Sequence, residues 1–135
     1  MEATTKNRYI EAVGRRKTAI ARVRITPAAK ASFIVNDKDV TEYFTTNDLQ
    51  VIAQEAISKS EAGEKFTVTV HVVGGGIHAQ AEAIRHGLSR TLVERNDDVK
   101  NTLKKLGFLK RDSRQVERKK FGLKKARKAP TWSKR

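Results

Sequence analysis

Three consecutive cations, Arg15-Arg16-Lys17, lie between two strand-like segments, where they could bind phosphate. Guanidinium groups bind phosphate oxygens in bidentate fashion and remain charged at any physiological pH. Arg22 and Arg24 continue the cationic character along one face of the second segment. The pattern predicts a phosphate-binding hairpin tip. A turn that only improves solubility is the alternative interpretation.

A second candidate phosphate site is the glycine triplet Gly74-Gly75-Gly76, which lies between a strand-like and a helix-like segment. Glycines let backbone amides turn toward an anion, and a helix N-terminus offers unpaired N–H groups. The triplet matches neither the dinucleotide-binding pattern nor the phosphate loop, which requires a Lys followed by Ser or Thr. Nucleotide hydrolysis is therefore unsupported. A tight strand-to-helix turn is the alternative interpretation.

Acid–base and metal chemistry have weaker support in the sequence. Glu82 and His86 stand four residues apart, which suits an acid–base pair or half a metal site but also an ordinary solvated helix pair. His71 has no His or carboxylate partner at a recognisable spacing. The chain contains no cysteine, which excludes disulfides, thiolate metal sites and cysteine nucleophiles. We therefore expect no catalytic residue, no metal and no cofactor.

Hydrophobic periodicity predicts the elements that position these groups. Alternation of apolar and polar residues predicts strands over residues 8–13, 18–26 and 65–73. A shorter apolar run over residues 31–35 stops at Asn36-Asp37, a turn signal. The first two strands would be joined by the four residues from Gly14 to Lys17.

Apolar residues at three- and four-residue spacing predict three helices. The first begins at Asn47 or Asp48 and ends near residues 59–63, and the last runs from Asp97 or Asp98 to Leu106, with Gly107 as its stop. The middle helix spans Ile77–Arg95. It has a face of small residues that would let another element approach closely: Ala79, Ala83 and Gly87.

Charge divides the chain into two parts. The 29 Lys and Arg residues exceed the 15 Asp and Glu residues by 14, and residues 107–135 hold 12 of the cations but 2 of the acids. This excess calls for a polyanionic partner, most often nucleic acid, with a membrane surface as the competitor. We predict a globular body over residues 1–106 and an extended basic C-terminal tail over residues 107–135.

The tail combines cations with isolated planar side chains, a composition typical of RNA-binding extensions, although a histone-like tail or a localisation signal looks similar. We expect it to become ordered on its partner. Neither a secretory signal nor a membrane-spanning apolar run is visible in the sequence. The candidate phosphate ligands of the tail are Lys110, Arg111, Arg114, Arg118, Lys119, Lys120, Lys124, Lys125, Arg127 and Lys128.

Four stretches of the sequence resemble the ribosomal protein S9 family in its bacterial form. They are GRRKTAIARV at residues 14–23, GGGIHAQAEAIRHGLSR at 74–90, RDSR followed by VERKK at 111–120, and the terminal SKR. They occur in the order that the family has and extend over essentially the whole chain. The glycine-triplet helix and the terminal SKR triplet are the most specific of these motifs, and they carry most of the resemblance.

The resemblance implies an α/β (α+β) fold, in which a small mixed sheet with a left-handed βαβ crossover packs on helices, as in domain 2 of ribosomal protein S5, with an extended C-terminal tail. It also implies partners: small-subunit ribosomal RNA (rRNA), bound through its 3′ domain in the subunit head, the transfer RNA (tRNA) of the peptidyl site, and neighbouring head proteins. No membrane and no homo-oligomer are expected. The location would be a cytoplasmic ribosome or, alternatively, a plastid ribosome.

Carried onto this chain, the family motifs imply two groups of contacts. The tRNA contact is expected at the chain end, Ser133, Lys134 and Arg135. Thr131 and Trp132 depart from the Gln and Phe or Tyr that are common in relatives, so the packing just before that end stays open. The rRNA contacts of the body are expected at Arg15, Arg16, Lys17, Arg22, Arg24, Gly74, Gly75, Gly76, His78, Gln80, Arg85 and Arg90.

Two other functions stay open at the level of sequence. A general nucleic-acid-compacting protein would have a similar tail. A relative of the small-molecule kinases that share this fold is suggested by the glycine triplet, but the phosphate-loop Lys and a convincing metal-binding carboxylate pair are absent from the sequence. An RNA-binding structural protein without catalysis is therefore the preferred interpretation.

Overall fold

The computed structural model describes residues 9–61 and 63–134. Over these residues the strands are β1 (Ile10–Arg16), β2 (Ala19–Pro27), β3 (Ser32–Val35), β4 (Lys38–Asp39) and β5 (Phe66–Val73). The helices are α1 (Val40–Tyr43), α2 (Asn47–Ser60), α3 (Ile77–Arg95) and α4 (Lys100–Leu106), and a 3₁₀ turn, Asp97–Val99, precedes α4.

The described strands form one mixed sheet in the order β1-β2-β5-β3-β4. β2 pairs antiparallel with both β1 and β5, whereas β3 pairs parallel with β5 and antiparallel with β4. The chain between the parallel neighbours β3 and β5 contains α1 and α2, so they form a β–α–β crossover. The fold is therefore the mixed α+β class that the sequence predicts.

One face of the sheet is buried under helices and the other is open. The alternate residues of β2 that face the helices, Ala19, Ala21, Val23 and Ile25, are fully buried. In β5 the buried series begins at Phe66 and ends at Val72, while Thr69, His71 and Val73 of the opposite face are exposed. α3 packs against β1 and β2, and α2 packs against α3. The period-two pattern of the sequence thus fixes which face the helices cover.

β1 and α3 approach each other at two glycines. A Cβ atom built on Gly14 would lie 2.8 Å from the Cα of Gly87 and would collide with the carbonyl oxygen of Ala83. A Cβ built on Gly87 would lie 2.9 Å from the backbone nitrogen of Gly14 and 2.8 Å from a methyl group of Val23. The predicted small-residue face of this helix is therefore confirmed, and β1 is the element that packs on it.

The first hairpin is tighter than the sequence predicts. β1 continues through Gly14, Arg15 and Arg16, and Arg16 pairs with Ala19. The connection is therefore the two residues Lys17 and Thr18, with Lys17 at a positive φ of 52°, and the predicted four-residue link is wrong. The sequence predicts Gly14 as a turn residue, but it lies within β1, where its missing side chain lets α3 come close.

The sequence also missed β4 and the short helix α1, although it predicted the turn that leads into them. Asn36 and Asp37 both have positive φ, 48° and 67°, which is the geometry of a two-residue hairpin. The Asn36 side chain accepts a hydrogen bond from Val72 N and donates one to Val72 O, both at 2.9 Å. This turn residue therefore also holds the end of β5.

α4 ends where the sequence predicts, but the chain stays packed for several residues more. Gly107 adopts a left-handed conformation with φ 80°, and its N–H donates hydrogen bonds to the carbonyl oxygens of Leu103 and Lys104 in the last turn of the helix. The reversal returns Phe108 to the core, where it is 8% exposed. The division of the chain after residue 106 stays a prediction, but Phe108 packs with the body. Few apolar residues surround Phe108 in the sequence, so the hydrophobic pattern did not predict that it packs in the core.

Because of the β1–α3 approach, we predict that Gly87→Ala lowers the free energy of unfolding by about 1–3 kcal/mol, the usual cost of overpacking a core. The neighbours of the new methyl group are backbone and a buried Val23, so neither can move cheaply. Urea denaturation of the two proteins measures the difference.

Gly76→Ser is the control for this experiment. It also adds a Cβ atom, but no atom lies within 4 Å of that position, and Ser is a preferred residue at a helix N-cap. Gly76→Ser should keep the wild-type stability or raise it. If Gly87→Ala behaved in the same way, the close approach would not constrain the fold.

Candidate nucleic-acid interface

Strand alternation separates the three cations at the first hairpin. Arg15 and Lys17 are exposed. Arg16 is turned toward α3, and its side chain is 12% exposed. The predicted cluster of three therefore presents two of its cations to solvent and directs the third into the protein.

The Arg16 guanidinium is surrounded by acceptors from α3 and from the beginning of the tail. Its Nε donates to Glu82 Oε2 at 2.5 Å, and its Nη1 lies 3.0 Å from Asp112 Oδ1. Nη1 also donates to the main-chain oxygens of Asp112 and Arg114, each at 3.2 Å. Sequence patterns could not predict these contacts, because Glu82 and Asp112 are distant from Arg16 along the chain.

Side chains of α3 also form hydrogen bonds with backbone groups of β1, which is an edge strand of the sheet. His86 Nδ1 accepts a hydrogen bond from the Arg15 N–H at 3.2 Å, and Arg90 Nη1 donates to Val13 O at 2.6 Å. Both backbone groups would otherwise lie unpaired on an edge strand. Glu82 and His86, which the sequence offered as a possible acid–base pair, thus each have a partner on β1.

The pKa of His86 is lowered below its ordinary value, first by loss of water around the ring and then by the charge of Arg90. The hydrogen bond from Arg15 requires an unprotonated Nδ1. The lowered pKa and this hydrogen bond both favour the neutral form of His86.

The open face of the sheet carries Arg22 and Arg24, as predicted, together with the carboxylate of Glu11 on the neighbouring strand. Glu11 Oε2 accepts from Arg24 Nε at 2.9 Å, and Glu11 Oε1 lies 3.7 Å from Arg22 Nε. Arg24 also stacks its guanidinium 4.4 Å from the centre of the Tyr9 ring. Arg22 therefore has the freer and more exposed guanidinium of the two.

The glycine triplet packs against the hairpin tip. Gly74 and Gly75 have positive φ values of 76° and 66°. A Cβ on Gly74 would lie 2.6 Å from Thr18 O, and one on Gly75 would lie 3.0 Å from Ala19 N. The tight turn and the neighbouring backbone therefore explain these two glycines without a bound anion, whereas the position at Gly76 is open.

The other α3 residues proposed as rRNA contacts differ in their surroundings. Gln80 donates to Gly74 O at 3.0 Å and accepts from the Tyr43 hydroxyl at 2.6 Å, so it supports the glycine turn. Arg85 bonds Glu55 at 3.0 Å and covers the ring of Phe108 at 4.7 Å. His78 has a 66% exposed side chain. Of these three residues, His78 is the most accessible.

The beginning of the tail lies beside the hairpin tip. Arg111 Nη2 donates a hydrogen bond to Lys17 O at 3.4 Å. Lys110, the preceding residue, is exposed. Arg114 makes a two-pronged bond to the Asp112 carboxylate, which lowers the pKa of that acid far below its ordinary value. The structure thus brings the first tail cations together with those of the hairpin.

The later tail residues that the structure describes contain neither helix nor strand. Arg127 forms a two-pronged ion pair with Glu117 at 2.7 Å. Ser133 and Lys134 are exposed, and Arg135 lies outside the described residues. The remaining predicted phosphate ligands of this segment are all exposed: Arg118, Lys119, Lys120, Lys124, Lys125 and Lys128.

The body is electrostatically asymmetric along its sheet. The cationic hairpin tip lies at the end of β5 that runs into the glycine triplet, as the pairing of Ile20 with Val73 shows. At the opposite end, Arg95 of α3 reaches Glu64 at 3.4 Å. The acids at that end include Glu61, Glu64, Glu94, Asp97 and Asp98. At that end the acids are interspersed with cations such as Lys59, Lys65 and Arg95, whereas the hairpin tip presents mainly cations to solvent.

Metal-binding clusters and membrane-spanning helices were sought among the described residues. Three or more His, Asp or Glu side chains do not come together there as a metal-binding group. In the same residues, none of the helices has both the length and the apolar character that a membrane span needs. The space bounded by Arg16, Glu82, His86 and Asp112 is about 50 Å³, well below the roughly 300 Å³ of a small-ligand pocket.

In a comparison with protein-family models, residues 14–135 match the family described as ribosomal protein S9/S16. The matched region begins in β1 and includes the hairpin tip, the glycine triplet, α3 and the tail. It therefore contains each of the candidate contacts described above.

Because folding lowers the pKa of His86, the unfolded chain binds a proton more readily at this residue. We therefore predict that the free energy of unfolding falls as the pH drops below about 6.5. His86→Gln, which cannot be protonated, should lose this part of the pH dependence. Urea midpoints between about pH 7 and pH 5 test the expectation.

His71→Gln is the matched control, because His71 is exposed on the open face of the sheet. This variant should keep the pH dependence that His86 produces. A His86→Gln profile that fell as steeply as the wild-type profile would contradict the interpretation.

Proposed function

The chain belongs to the ribosomal protein S9/S16 family, and we propose that its body binds the 3′ domain of rRNA in the small-subunit head while its tail reaches the tRNA of the peptidyl site. The family assignment makes the protein a structural constituent of the small ribosomal subunit that binds rRNA. Our proposal adds four points to this assignment: binding in the subunit head, the tRNA contact, the neighbouring head proteins and a cytoplasmic ribosome.

One observation carries the proposal: the first tail cations and the hairpin cations form a single surface. We call it the tip surface and define it as Arg15, Lys17, Lys110 and Arg111. The Arg111–Lys17 contact joins its two parts, and all four residues are exposed. Phosphate contacts from such cations position a protein on RNA, and their strength depends on salt.

The tail beyond Arg114 supports the second part of the proposal. The 21 residues from that point to the chain end could extend roughly 70 Å at about 3.3 Å per residue. The exposed cations are spread along this length rather than gathered in one patch. Phe121 and Trp132 are almost fully exposed, and such rings can stack on unpaired bases. The segment therefore suits a path through RNA better than a second folded domain.

A general nucleic-acid-compacting protein is the alternative. Such a protein needs cations but no particular arrangement of them, whereas this body concentrates exposed cations at the hairpin tip and intersperses acids with cations at the opposite end. Competition of duplex DNA against a 3′-domain rRNA fragment separates the two functions. We expect the rRNA fragment to compete far more strongly. Equal competition would favour the alternative.

If the tip surface binds phosphates, we predict that Arg15→Gln combined with Lys17→Gln weakens binding to the rRNA fragment and reduces its salt dependence. Loss of two phosphate contacts lowers the slope of log K against log salt by about 1.4–1.8. Filter binding at several salt concentrations provides the slope. Lys17 has a positive φ, and Gln at this position would bear the same backbone strain. The substitution therefore removes the charge without changing the strain of the turn.

The matched control removes the same charge from the other end of the body. Lys59→Gln with Lys65→Gln changes two exposed residues, one near the end of α2 and one directly before β5, where Phe66 pairs with Pro27. This pair should leave the slope within about 0.3 of the wild-type value, much less than one phosphate contact contributes. If both double variants reduced the slope equally, binding would not involve a defined face.

For the chain end, we predict that deletion of residues 133–135 weakens tRNA binding at the peptidyl site and leaves subunit assembly intact. Within the described residues, the hydrogen bonds between the tail and the body end at Arg114, so we expect the fold not to depend on the terminal triplet. A terminal Arg and a preceding Lys would contact phosphate by charge-assisted hydrogen bonds. Filter binding of tRNA to subunits that carry either chain measures the loss, and sucrose-gradient profiles report assembly. Unchanged tRNA affinity would refute the contact.

A further inference from the structure

Arg16 joins the strand, the helix and the tail through one side chain. Its guanidinium donates to Glu82 on α3 and to the Asp112 main-chain oxygen, and it is paired with the Asp112 carboxylate at 3.0 Å. It also bonds the Arg114 main-chain oxygen. We call this set of contacts the Arg16 clasp.

The tail side of the clasp has supports of its own. Asp112 Oδ1 accepts from the Arg114 N–H at 3.0 Å, which forms a tight local turn. Upstream of it, Phe108 is buried beneath the guanidinium of Arg85. The tail is therefore held at Phe108 and again at Asp112 before it leaves the body.

Charge explains why such a clasp is needed. Without carboxylates, the tail cations Lys110 and Arg111 would meet the like charges of Arg15 and Lys17. Glu82 and Asp112 add two negative charges at this junction, and Arg16 lies between them. A guanidinium can bond both sides because its donors form a rigid planar fork, which an ammonium group lacks.

We propose that Arg16 is a positioning residue rather than an RNA ligand, and that it sets the direction in which the tail leaves the body. A phosphate group would have to displace Glu82 or Asp112 to reach its mostly buried guanidinium. The clasp keeps the tail cations aligned with the tip surface before RNA binds. Its role in the free protein depends on the intramolecular contacts alone, whereas its effect on RNA binding rests on the proposed function.

The first experiment measures the clasp in the free, full-length protein. Because the chain has no cysteine, Ser58→Cys and Val116→Cys introduce two unique sites for spin labels, both exposed. The distance distribution between the labels should be narrow in the otherwise unchanged protein. Arg16→Gln should broaden it, and Arg16→Lys should broaden it too, because Lys keeps the charge but loses the fork.

Arg15→Gln is the matched control, since it removes the same charge one residue earlier and leaves the clasp intact. It should keep the narrow distribution. Asp112→Ala breaks the clasp from the tail side and should broaden the distribution, which covers the case in which Arg16 variants fail to fold. Equal widths for Asp112→Ala and Arg15→Gln would overturn the proposal.

The second experiment separates positioning from phosphate binding on the rRNA fragment. Arg16→Gln should weaken binding with an unchanged salt slope, by about 5–10-fold if the aligned population falls to roughly 10–20%. Arg15→Gln should instead lower the slope by about 0.7–0.9. An equal loss of slope in both variants would make Arg16 a phosphate ligand and overturn its assignment. Failure of the unchanged chain to bind would refute the proposed function, while the distance measurement would still decide the clasp.

Discussion

The close packing of β1 on α3 at Gly14 and Gly87 is the constraint on which the other features depend. With the two backbones in contact, side chains of α3 on both sides of Gly87 reach β1 directly. Glu82 bonds Arg16, His86 accepts from the Arg15 N–H, and Arg90 bonds Val13. A larger residue at either glycine would move the helix outward and weaken all three contacts together.

This packing lets a strongly basic chain both fold and present cations. The edge of β1 is bonded by α3 side chains, which protects a strand edge that would otherwise be open to other chains. At the same hairpin, alternation turns Arg16 inward and leaves Arg15 and Lys17 facing solvent. Neighbouring cations therefore have different tasks, with one holding the protein together and the others available to phosphate.

Local patterns predicted much of the fold. The apolar alternation of β2 and β5, the helical spacing of α3, the Asn36-Asp37 turn and the Gly107 stop are each properties of a few neighbouring residues, and the structure confirms them. β4 and α1 were missed because two- and four-residue elements carry too little periodicity to detect. Phe108 was assigned to the tail because its partner Arg85 is 23 residues away.

By itself, the sequence determined the fold class, the glycine face of α3, the concentration of cations after residue 106 and, through its motifs, the family. These depend on residue type and short spacing. Only the tertiary structure decided which carboxylate pairs with which cation: Glu11 with Arg24, Glu55 with Arg85, and Glu82 and Asp112 with Arg16. The physical reason is that an ion pair requires proximity in space, and proximity between residues 16, 82 and 112 exists only after the helix has packed on the sheet.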